Sequence, residues 1–132
     1  MPDQLLIADS SPLIALSGVS LLHILPRLYP RVGAPPAVIE EITAGSKLTP
    51  HHDFLSQVPW LERLPLPSLR DVLSTVIGRG ETEAISLALS HTDAILLLDD
   101  HQARRAAEAN NLPVIGSAGI LVRAKRNHLI DM

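Results

Sequence analysis

Residues 96–100 read LLLDD, and the chain runs on as HQARRAA over residues 101–107. The apolar run from Ala94 to Leu98 is continuous rather than alternating, which marks a strand covered on both faces. Two adjacent carboxylates end it and a helical pattern follows. The chain opens in the same way: LLIA (5–8) runs into Asp9 and then into SSPLIAL (10–16).

Working outward from these two stretches, strands are expected near 5–8, 32–34, 95–98 and 113–115, with WLERL (60–64) as an edge strand. Helices are expected between them. LIAL (13–16) carries Pro12 in its first turn and Ser10 or Ser11 as cap. Ser20 caps LLHILPRLY (21–29), with Pro26 near its end or kinking it. Pro35 and Pro36 open AVIEEITAG, which should stop at Gly45. SKLTPHHDFLSQ (46–57) reads as a turn and a helix capped by Thr49, and SLRDVLSTVIG (68–78) as a helix capped by Ser68. Three more helices are expected at 78–91, 101–111 and 118–129. Strands alternating with helices predict an α/β fold: a single domain over 1–132, a three-layer α/β/α sandwich on a parallel sheet of about four or five strands.

Composition narrows the chemistry. The chain has 132 residues, 46% of them hydrophobic, and only Tyr29, Phe54 and Trp60 are aromatic, so the core must be aliphatic. The lack of cysteine excludes disulfides and thiolate chemistry and suits a reducing compartment. A net charge of −3 excludes a generally basic nucleic-acid binder but allows a local basic patch. No apolar run reaches the ~18 residues of a membrane span. The start lacks a basic segment before its apolar stretch, which argues against a signal peptide. A soluble, cytoplasmic protein that avoids membranes is expected.

In a parallel sheet, ligands gather at the carboxyl ends of the strands, where Asp9, Asp99 and Asp100 fall. Glu40, Glu41, Glu81 and Glu83 lie on helices that could bring them there. Each acid has an ordinary alternative. Glu81 and Glu83 suit a helix first turn, Asp99 or Asp100 could cap the following helix, and Asp9 could cap PLIAL. Taken together they crowd one edge. Crowded carboxylates raise one another's pKa, and a hard divalent cation relieves the repulsion.

The stretches IADSSPLIAL (7–16), PPAVIEEI (35–42), GRGETEAISLAL (78–89), LLLDDHQARRAAEANNLPVIG (96–116) and GILVRAKRNHLI (119–130) resemble the PIN-domain family, specifically short proteins similar to VapC-type toxins. The resemblance spans nearly the whole chain in the family's order. It implies a ribonuclease dependent on Mg²⁺ or Mn²⁺, and it allows a role as the toxin of a toxin–antitoxin pair. It implies catalytic acids at Asp9, Glu41, Glu83 and Asp100, and a metal held by Asp9, Glu83 and Asp100 with Asp99 as competitor. Ser11 falls where a small polar residue supports the first acid. Two departures stand out: Glu83 replaces the usual Asp, and Leu98 replaces a frequent hydroxyl two residues before the fourth acid. They motivate an alternative, a PIN fold without turnover that serves as an RNA-binding or protein-interaction module.

Helical geometry bears on the third acid. Glu81 and Glu83 lie about 200° apart around the axis, so only one can face the cluster. Glu83, beside Ala84 and Leu87, is expected there, and Glu81 is expected to serve the macrodipole or solvent. Periodicity does not separate Glu40 from Glu41. Arg104, Arg105, Arg123, Lys125 and Arg126 are candidates for RNA phosphates near the acids, although cations are favoured at a helix C-terminus in any case. His51 and His52 read as a surface pair, and GRGE as the start of a helix. RNA, an antitoxin and a second copy in a homodimer are the partners that the resemblance implies.

Overall fold

The computed structural model describes residues 4–48, 54–66 and 77–130. Five strands, β1 (Leu5–Ala8), β2 (Arg31–Ala34), β3 (Leu61–Arg63), β4 (Ala94–Leu97) and β5 (Val114–Ile115), form one sheet in the order β3-β2-β1-β4-β5. Every pairing is parallel. The helices are α1 (Ser10–Gly18), α2 (Leu25–Leu28), α3 (Pro36–Leu48), α4 (Phe54–Gln57), α5 (Arg79–Leu89), α6 (His101–Ala109) and α7 (Ser117–Arg126). The expected three-layer α/β/α sandwich is the architecture found, with five strands.

Side-chain alternation explains why the strands are apolar throughout. Leu6, Ala8 and Leu97 join one core with Leu13, Leu16, Leu25, Val38, Ile42 and Ile120. Leu5, Ile7, Leu96 and Leu98 join the other with Ala84, Leu87, Ala103 and Ala106. A strand with a helix layer on each side has no polar face. The same alternation sends the side chain after Ala8 to the face that α5 covers, and that side chain is Asp9.

The chain leaves β1 toward β2 and β3, then returns to the other side of β1 as β4 and β5. The switch in direction lies between β1 and β4, so the crevice at their carboxyl ends has no crossover above it. The Asp9 N–H bonds the Leu97 carbonyl at 3.1 Å, carrying the ladder to the rim of that crevice.

Several local expectations shift. The first helix begins at Ser10, and its cap position is Asp9 rather than Ser10 or Ser11. Residues 22–28 form a 3₁₀ turn followed by α2, so Pro26 sits in the first turn of α2, where a missing N–H is harmless. Ser20 has a positive φ of 59° and does not cap that turn. The helix α3 continues through Gly45 to Leu48, because a glycine lowers helix propensity without forbidding the conformation. The edge strand is the shorter Leu61–Arg63. The helix expected at 68–78, its cap Ser68, the cap Thr49 and the pair His51 and His52 lie outside the described residues.

Candidate metal centre

Asp9 is 2% exposed at the end of β1, in the crevice between β1 and β4. Its neighbours come from three other elements. Glu41 arrives on α3, and Gly80 lets it close in. A Cβ built at Gly80 would stand 2.6 Å from Glu41 Oε1 and 3.3 Å from Asp9 Oδ1, so the two carboxylates meet over a residue with no side chain. The Ser10 hydroxyl donates to Glu41 Oε2 and fixes the acid's other oxygen.

Burial pushes the Asp9 carboxyl up to about 6, against the pull of its bond to the Ser10 backbone. Glu81, Glu41 and Asp100 each add to the rise through their negative charge. Four acids from β1, α3, α5 and the end of β4 therefore share one electrostatic neighbourhood. Among the described residues, no three Asp, Glu or His side chains are gathered tightly enough to hold an ion as they stand. The donors are all oxygens, which suits a hard divalent cation.

Of the two acids that helical geometry sets on different sides of α5, Glu81 is the one whose charge acts on Asp9. Glu83 is 7% exposed and fully engaged elsewhere. Its Oε1 accepts from the Ala37 N–H at 2.9 Å and its Oε2 from Arg79 Nε at 3.1 Å. Arg79 in turn bonds Glu40 at 3.0 Å. The acid beside Ala84 points inward as expected, and the group it meets is the start of α3. Glu81 accepts from the Gly78 N–H at 3.1 Å, which closes the start of α5 and leaves its charge near Asp9. Glu40 and Glu41 are both exposed residues with different partners, Glu40 turning to Arg79 and Glu41 to Ser10 and the Asp9 side of Gly80.

Asp99 and Asp100 also separate. Both oxygens of Asp99 are used at the start of α7, accepting from the N–H and the hydroxyl of Ser117. Asp100 caps α6 through one oxygen, Oδ2, which accepts from the Ala103 N–H at 2.9 Å. Its charge reaches Asp9. Asp100 thus caps α6 while its charge acts on Asp9, and Asp99 holds the start of α7.

Other placements depart from expectation. Ser11 is exposed on α1, and the hydroxyl that supports the acids is Ser10 acting on Glu41. Arg104 and Arg105 lie in the first half of α6, near the acidic edge. Arg123, Lys125 and Arg126 do not. The helix α7 starts at that edge and runs back about 15 Å, at 1.5 Å per residue, toward the opposite edge. There Arg123 bonds the Tyr29 hydroxyl at 2.8 Å and lies 5.0 Å from its ring centroid. Arg79 and Gly80 were not singled out by the sequence, whereas Ser10 was read as a cap and Glu81 as a macrodipole or solvent acid. Glycine beside an acid in GRGE was the available signal for Gly80.

A family model described as DUF3368, PIN domain, matches residues 5–132. The solved structure of a PilT N-terminus domain protein, SSO1118, from the hyperthermophilic archaeon Sulfolobus solfataricus P2, superposes with a TM-score of 0.61. It is 13% identical, and the match covers 92% of this chain and 93% of that one, which establishes a common fold. No curated protein matches the chain.

Proposed function

This chain belongs to the PIN-domain family, and from that premise we propose that it is a divalent-metal-dependent ribonuclease using Asp9, Glu41, Glu81 and Asp100. PIN domains are generally metal-dependent nucleases. No single helix among the described residues is long and apolar enough to cross a membrane. The observation that carries the reading is Asp9 itself: a buried carboxyl at the topological switch point, raised to about 6, with three further acids acting on it.

When bound, Mg²⁺ or Mn²⁺ supplies Lewis-acid activation of water and charge neutralisation at the phosphate. The chain's own residues do the rest. Asp9 gives the cluster a buried anchor that gains by meeting a cation. Ser10 holds Glu41 so that its second oxygen faces Asp9. Asp100 keeps one oxygen on the α6 cap and presents the other. Arg104 and Arg105 stand where an incoming phosphodiester can be held. Arg123, Lys125 and Arg126 are left to partners at the opposite edge.

A toxin role, with a small antitoxin and a homodimer, is the finer part of this proposal. It is supported by exposed Ile14 on α1, Val19 just after α1 and Val122 on α7. A cytoplasmic location goes with it. One observation favours a second reading, an RNA-binding module without turnover: the acids are not drawn into a tight cluster, and Leu98 is a buried core residue rather than a hydroxyl.

The deciding experiment is cleavage of single-stranded RNA with Mg²⁺, Mn²⁺ or chelator, by wild type and Asp9→Asn. Cleavage with metal only, lost in Asp9→Asn, is expected. Cleavage that survives chelator sinks the proposal. RNA binding without cleavage in any metal favours the second reading.

A further inference from the structure

Beside the acids, across α3, lies a groove of about 400 Å³ lined by Pro36, Ile39, Glu40, Arg63, Leu64 and Pro65. Four of these six residues are aliphatic, and the other two carry opposite charges. Arg63, at the carboxyl end of β3, is exposed and has no hydrogen-bond or ion-pair partner among the described residues. Glu40 accepts from Arg79 through Oε2, and its Oε1 has no hydrogen-bond partner among the described residues. A guanidinium and a carboxylate thus face one aliphatic slot. The slot is separated from Glu41 by one helix, whose full width is about 10–12 Å.

We propose that this groove binds a guanine base of the RNA strand, flanking the phosphodiester held at the acids. The inference rests on the ribonuclease reading and names its specificity. The fit is chemical. Unstacked bases of single-stranded RNA are read on their edges while their faces lie on flat side chains, and Pro36, Ile39, Leu64 and Pro65 provide such a surface. Arginine pairs with the O6 and N7 acceptors of guanine. On the other side, guanine N1–H and N2–H₂ are donors, and Glu40 accepts. Adenine places an amino group where Arg63 needs an acceptor. Pyrimidines lack the O6/N7 acceptor pair that a guanidinium reads. The free guanidinium also complements a polyanionic strand that the acidic edge, without a cation, would repel.

The test is titration of GMP, AMP, CMP and UMP into the full chain with chelator present, following the methyl signals of Ile39 and Leu64. GMP should move both and bind at least about fivefold more tightly than CMP or UMP. Arg63→Ala should weaken GMP about tenfold without lowering the melting temperature, because Arg63 is exposed. Glu40→Ala should narrow the margin of GMP over AMP. Unmoved methyls, equal binding of all four, or an Arg63→Ala variant that binds GMP like wild type overturns the proposal. Chelator keeps metal chemistry out of this readout. Guanine binding without cleavage would therefore condemn the ribonuclease reading alone, and metal-dependent cleavage without guanine binding would condemn the groove alone.

Discussion

Glu83 accepts a hydrogen bond from the Ala37 N–H at 2.9 Å, joining α5 to the first turn of α3 across 46 residues of sequence. That N–H is one of the unsatisfied donors at a helix start, and a buried carboxylate is a strong partner for it. The bond holds in place the helix that carries Glu41. Both Glu83 oxygens accept hydrogen bonds, at the position where the family resemblance implies a metal ligand.

Glu83→Ala should cost about 1.5–3 kcal/mol, the range for a hydrogen bond to a charged group, and lower the melting temperature. Glu81→Gln should melt like wild type but lose most metal-dependent cleavage. Paired melts and cleavage assays check both. If Glu81→Gln cuts RNA normally while Glu83→Gln, folded, does not, the assignment is reversed.

Gly80→Ala should keep the fold, since alanine is the better helix former by up to about 1 kcal/mol. Its Cβ would stand 2.6 Å from Glu41 Oε1, the end of a flexible side chain, so Glu41 moves rather than the backbone. Misplacing a site group by about 1 Å can cost 100-fold in rate. A stable variant with a large loss in cleavage is expected. Unchanged cleavage would show that Glu41 need not approach Asp9.

The protonation of Asp9 makes stability depend on pH. In chelator, the folded chain keeps the Asp9 proton up to about pH 6, while the ordinary value is 3.8. Between those values the folded state binds more protons, so stability falls as pH rises, and the full penalty is present above about 6. A shift of this size corresponds to about 3 kcal/mol. Asp9→Asn removes the penalty and should be more stable than wild type at pH 8, with the difference closing by pH 4. Urea melts at both pH values test this; an advantage that is the same at both would refute it.

Asp99 and Asp100 should respond in opposite ways. Asp99→Ala removes the cap on Ser117 and should cost about 1 kcal/mol with cleavage largely kept. Asp100→Asn preserves the cap, because asparagine caps about as well as aspartate, and should abolish metal-dependent cleavage. Melting temperature and turnover, measured on the two variants together, separate the roles.

Much of the fold was legible in local pattern. Uninterrupted apolar runs at Leu5–Ala8 and Ala94–Leu97 announced strands covered on both faces, and acids at their ends announced the carboxyl edge. Helix interiors were also readable, but their ends were not. The backbone tolerates Gly45 inside α3, and of the three cap candidates Asp9, Ser10 and Ser11 it is Asp9 that takes the position.

By itself, then, the sequence determined the layers, the parallel sheet and the presence of acids at one edge, because strand and helix periods are properties of neighbouring residues. Only the tertiary structure decided which acids meet. The order β3-β2-β1-β4-β5 sets Asp9 beside the end of β4. Gly80 draws Glu41 onto Asp9, Ala37 takes Glu83 away, and Ser117 takes Asp99. Each of these depends on a partner far away in the chain, and a carboxylate's role follows from the partner that satisfies it.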